Sequence, residues 1–146
     1  MKVTQRAVNE HPGPKVLKSL LKIALGMVIM IDGFNPKAPD RSIYQDIADD
    51  LQIVGFQVEA ESVGRVLTGA ADGSNELSDP DDYETLTKMA VGIAMRHYGY
   101  DPTEVRSKAT QKITDDLLIK NITVDADTVR LRLKEAAALL RSTTDL

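Results

Sequence analysis

The chain writes one stretch twice, and that repetition limits what it can fold into more than any other feature. Residues 47–67 read IADDLQIVGFQVEAESVGRVL, and residues 113–133 read ITDDLLIKNITVDADTVRLRL. The offset of 66 residues extends in both directions. Lys22, Ala24, Gly26, Gly33 and Pro36 fall on Lys88, Ala90, Gly92, Gly99 and Pro102, and Ala70 and Ala71 fall on Ala136 and Ala137. Across 18–71 against 84–137, roughly a third of the aligned pairs are identical, with no gap. Self-similarity at a fixed period implies a small supersecondary unit used in tandem. Each unit, at about 55–60 residues, is near the lower limit for folding alone, so the two should pack together, on a second chain, or both.

The periodicity inside a unit is helical. Leu17, Leu20, Leu21, Ala24, Leu25, Met27 and Val28 follow the 3.6-residue repeat and predict a helix over 16–31. Ile23, Ile29, Met30 and Ile31 add apolar residues beyond one stripe, which implies burial on more than one side. The matching positions in the second copy are more polar, with Thr87, Arg96 and His97 for Leu21, Met30 and Ile31. Ile23, Met27, Met30 and Ile31 are therefore candidate interface residues, either between the repeats or in a homodimer. Gly33-Phe34-Asn35-Pro36 and Gly99-Tyr100-Asp101-Pro102 read as a helix end followed by a corner. The next helix should start near Ser42, where Ser42-x-x-Gln45 has capping-box spacing, and its counterpart at Ser107 or Thr110. Gly55 and Asn121, residues that tolerate positive φ, head a short turn. Third helices follow from Ala60 to Ala71 and from Ala126 to about Ser142.

The expected fold is all-α: two tandem three-helix units packed as one compact body. The divisions are a flexible arm at 1–14, a first repeat at 15–72, an acidic linker at 73–82, a second repeat at 83–142 and a frayed tail at 143–146.

Several function classes lack their residues. With no cysteine, disulfides, thiolate metal sites and cysteine nucleophiles are absent, which fits a cytoplasmic protein. The run Ile23–Ile31 is far short of the ~20 apolar residues that span a bilayer, so no membrane partner is expected. Asp49-Asp50 and Asp115-Asp116 recur, but neighbouring helical residues point ~100° apart and do not converge. His11 and His97 have no His or Cys partner at ligand spacing. No catalytic constellation, metal site or cofactor is expected.

The last two helices of each unit resemble the helix-turn-helix of bacterial and phage repressors. The residues that carry the likeness are Ile47, Ala48, Leu51, Gly55, Val58, Ser62-Val63 and Leu67. In the second copy they are Ile113, Thr114, Leu117, Asn121, Val124, Thr128-Val129 and Leu133. Thr114 and Asn121 depart from the usual Ala and Gly. The spacing between the helices is similar to that of winged-helix relatives, although no strand pair that could form a wing follows. The resemblance implies a third helix that enters the major groove of double-stranded DNA.

Charge distinguishes the copies. Residues 15–72 hold six Lys/Arg and eight Asp/Glu, and residues 83–141 hold ten and eight. On a helical projection Arg130, Lys134 and Arg141 fall in a ~40° stripe beside the apolar face of the last helix. Arg106, Lys108 and Lys112 stand at the start of the helix before it. With Thr128 these are the candidate DNA-contacting residues, in a protein that regulates transcription, its first repeat kept for packing or dimerisation. The alternative is a non-enzymatic adaptor that binds proteins through both units, which the net charge of −4 favours.

Overall fold

Apolar residues at helical spacing, closed by residues that accept positive φ, produce six helices. In this computed structural model, which describes residues 13–71, 80–104 and 107–144 (the backbone alone at 71, 80 and 141–144), they are α1 (Pro14–Asp32), α2 (Arg41–Ile53), α3 (Ala60–Ala71), α4 (Pro80–Tyr98), α5 (Ala109–Ile119) and α6 (Ala126–Thr144). No strand occurs among the described residues. None of their helices is long and apolar enough to cross a membrane.

The 66-residue offset reappears in the backbone. Gly33 and Gly99 both end a first helix at φ 69°, and Gly55 and Asn121 both head a turn at positive φ. Phe56 and Ile122 each donate an N–H to the carbonyl of Leu51 and Leu117 at 2.9 Å. Gln45 donates to Asp49, and Gln111 to Asp115, both at 2.9 Å. The aromatics of the corners fold back, Phe34 and Tyr100 being buried.

Local chemistry moved some boundaries. Asp40, not Ser42, caps α2: its carboxylate accepts the Ser42 N–H at 3.0 Å, so the helix begins one residue earlier. Of the two expected caps on α5, Ser107 accepts the Ala109 N–H, whereas Thr110 lies inside the helix. The stretch 80–82, read as linker, opens α4. Proline suits a first helical position, and Asp81 and Asp82 favour the helix dipole. Asp82 also pairs with Arg65 of α3 at 3.0 Å. Residue 14 likewise belongs to α1, and α6 runs to Thr144. The rest of the N-terminal arm and residues 72–79 lie outside the described residues.

The three-helix sets do not sit side by side. α1 packs on α4, α5 and α6 and also on α3 of its own repeat, and α4 packs on α1, α2 and α3 and also on α5 and α6 of its own repeat. The first helix of each repeat is thus seated on the second helix and turn of the other. The small residues that allow this are Gly26, against Leu117 and Ile122, and Gly92, against Leu51 and Phe56. These are the same contact at the same offset. One apolar cluster results, running from Leu17 through Leu51, Leu86 and Ile113 to Leu140.

Candidate nucleic-acid interface

The residues of the second copy that carry the repressor resemblance lie in α5, in the turn after it and in α6. Leu117, Val129 and Leu133 are fully buried and lock the two helices together. Asn121 holds the turn at φ 64°. At the start of α6 the Asp125 carboxylate accepts the Thr128 N–H at 2.7 Å, and this bond holds its pKa below the usual carboxylate value.

The expected DNA-contacting residues are differently placed. Lys108 and Lys134 are exposed, and their side chains have no hydrogen bond or ion pair among the described residues. Thr128 is half-buried in the first turn of α6. Arg130 is paired with Asp127 at 2.6 Å. Lys112 lies 3.4 Å from Asp116, a buried carboxylate that also accepts the Tyr98 hydroxyl at 2.7 Å. Arg106 lies outside the described residues, as does the side chain of Arg141. Arg132, outside the expected stripe, pairs with Glu135 at 3.0 Å. The outward surface of α6 therefore carries Asp127, Leu131, Lys134 and Glu135 together, a mixed surface and not a basic one.

Of the residues expected at an interface, Ile23 and Met27 are fully buried inside the chain. Met30 and Ile31 are half-buried.

A group of bases was missed in the sequence. Lys15, Lys18 and Lys22 line one wall of a groove of about 470 Å³. The other wall belongs to the second repeat: Thr114 and Leu118 of α5, Ile122, Thr123 and Val124 of the turn, and Asp125 and Thr128 at the start of α6. The signal was the i, i+3, i+7 spacing of three lysines. It went unread because those lysines sit in the less basic repeat, and only the exchange of helices carries them to the second.

The first repeat has a matching hollow of about 360 Å³ lined by Ala48, Gln52, Gln57, Val58 and Glu59. These are the offset equivalents of Thr114, Leu118, Thr123, Val124 and Asp125. In place of Lys15, Lys18 and Lys22 stand Asp81, Glu84 and Lys88. Lys88 is held by Glu84 at 3.0 Å and donates to the Gln57 carbonyl at 3.1 Å.

Comparison with known protein families, with curated proteins and with solved structures finds no match for this chain.

Proposed function

We propose that this chain is a small cytoplasmic DNA-binding regulator, without catalytic activity, whose second repeat contacts double-stranded DNA. The observation that carries this reading is a charge difference confined to the last two helices of each repeat, where 108–134 holds six bases and 42–68 holds Arg65 alone. Lys108, Lys112, Lys120, Arg130 and Lys134 correspond to Ser42, Asp46, Val54, Gly64 and Thr68, none of them basic. Gly64 has a packing reason: a side chain there would run into the ring of Tyr44. The second and third helices of the first repeat keep the helical frame without those bases, so they lack side chains that could meet phosphates. Homodimerisation, expected from the apolar excess of α1, has only Met30 and Ile31 of that set to draw on.

Fluorescence anisotropy with a labelled random duplex, titrated over salt, tests the proposal. Binding should weaken steeply with salt. Lys108→Ala with Lys134→Ala should make the logarithmic salt slope shallower by about two if each meets a phosphate. Thr68→Ala should change nothing. A parent protein that binds no duplex at low salt refutes the proposal.

The second reading, a protein-binding adaptor, is favoured by exposed apolar side chains. Ile53 and Ile119, equivalent in the two repeats, are each 63% exposed, and Leu118 and Leu131 add to them. Capture of a protein partner that Ile53→Ser with Ile119→Ser abolishes, in the absence of duplex binding, would favour it.

A further inference from the structure

The groove between α1 and the start of α6 is built from both repeats. At ~1.5 Å of rise per residue, Lys15, Lys18 and Lys22 span about 10 Å along α1. Lys15 and Lys18 are exposed and Lys22 is half-buried. None of the three side chains has a hydrogen bond or ion pair among the described residues. Three unneutralised ammonium groups in a row make a wall for successive anionic groups, opposite Thr123 and the apolar Leu118 and Ile122, while the Thr114 hydroxyl donates to the Thr110 carbonyl. The one carboxylate on the rim, Asp125, is engaged by the Thr128 N–H at 2.7 Å.

We infer that this groove holds the sugar–phosphate backbone of one DNA strand, so that α1 of the first repeat completes the DNA-binding surface of the second. The inference rests on the DNA-binding reading and deepens it. A helix-turn-helix places the N-terminal end of its second helix toward the bases, and the strand bordering the major groove passes beside that end. Here the lysines of α1 stand beside it. The matching hollow of the first repeat is lined by Glu59 and by no base, and the sequence equivalents of Lys15 and Lys18 are Asp81 and Glu84, the latter paired with Lys88. With a carboxylate and no base in its lining, that hollow does not suit the same strand.

The test compares two variants of equal charge on the full chain. Lys18→Ala with Lys22→Ala removes two bases from the groove, and Lys37→Ala with Arg41→Ala removes two from the corner and start of α2. Circular dichroism first establishes that both fold. With a labelled random duplex, the groove variant should bind at least tenfold more weakly at low salt. Its logarithmic salt slope should be shallower by about two, and the control's should match the parent. A parent that binds duplex while the groove variant binds equally well, or loses no more than the control, overturns this inference and leaves the DNA reading standing. A parent that binds no duplex overturns both. A groove that takes up polyglutamate but no duplex, with Lys18→Ala and Lys22→Ala abolishing the uptake, assigns it to an acidic protein segment and overturns the inference.

Discussion

Gly26 and Gly92 show how much one missing methyl group decides. Each sits in the middle of a long helix, where glycine costs about 1 kcal/mol relative to alanine. A Cβ on Gly26 would meet Leu117, and one on Gly92 would meet Leu51, both leucines being fully buried. Gly69 in α3 has nothing within 4 Å of the same position. Gly69→Ala should therefore stabilise the protein by about 0.5 kcal/mol. Gly26→Ala should destabilise it by about 1 kcal/mol net, because overpacking costs of ~1–3 kcal/mol outweigh the gain in propensity. Urea denaturation of the two variants measures the opposite signs. Equal stabilisation by both would mean that the Gly26–Leu117 contact relaxes freely.

At the scale of elements, the C-terminal ends of α1 and α4 meet the middle of α2. His97 lies 2.8 Å from Asp50, and Arg96 lies 3.7 Å from the same carboxylate. Asp32, the last residue of α1, is pushed up to about 6, first by desolvation, then by repulsion from Asp50 and Asp46, with His97 opposing. The second copy solves the same place differently: Tyr98, the equivalent of Asp32, donates to Asp116. A carboxyl raised in the folded state takes up a proton that the unfolded chain releases. Stability from this group therefore falls as pH rises from about 4 to about 6, and the cost is full above that. Solvent reaches Asp32, which moderates the effect. Asp32→Asn should raise Tm by about 2–4 °C at pH 8 and leave it unchanged at pH 4. Thermal melts across that range check it, and a gain at pH 4 would point to a cause other than ionisation.

The whole molecule is held by the exchange of first helices. Because α1 is seated on α5 and α4 on α2, each half alone leaves part of its apolar surface uncovered. Fragments 1–73 and 74–146, prepared separately, should each show weak helicity and recover the full helical signal on mixing. Circular dichroism of the mixture against the sum of the parts reads this directly. Fragments that fold alone and do not associate would contradict the packing of Gly26 and Gly92 across the halves. The composite groove would then have no structural basis either.

Taken alone, the sequence determined that the fold is all-helical, because helical periodicity and the residues that close a helix are local. Gly33, Gly55, Gly99 and Asn121 take positive φ where the turn chemistry required it. It also determined that the second copy is the more basic, since charge is counted without geometry. It misplaced the starts of α2 and α4 by a residue or a few, because Asp40 competed with Ser42 for the cap and Pro80 suits a first turn. Three matters were decided only in the tertiary structure. Ile23 and Met27 are consumed within the chain, because α1 has helices on several sides. Arg130 and Lys112 are drawn to Asp127 and Asp116, because ion pairing depends on which side chains a fold brings within reach. Lys15, Lys18 and Lys22 come to stand beside α6, more than a hundred residues along the chain, because two glycines let the first helices change partners.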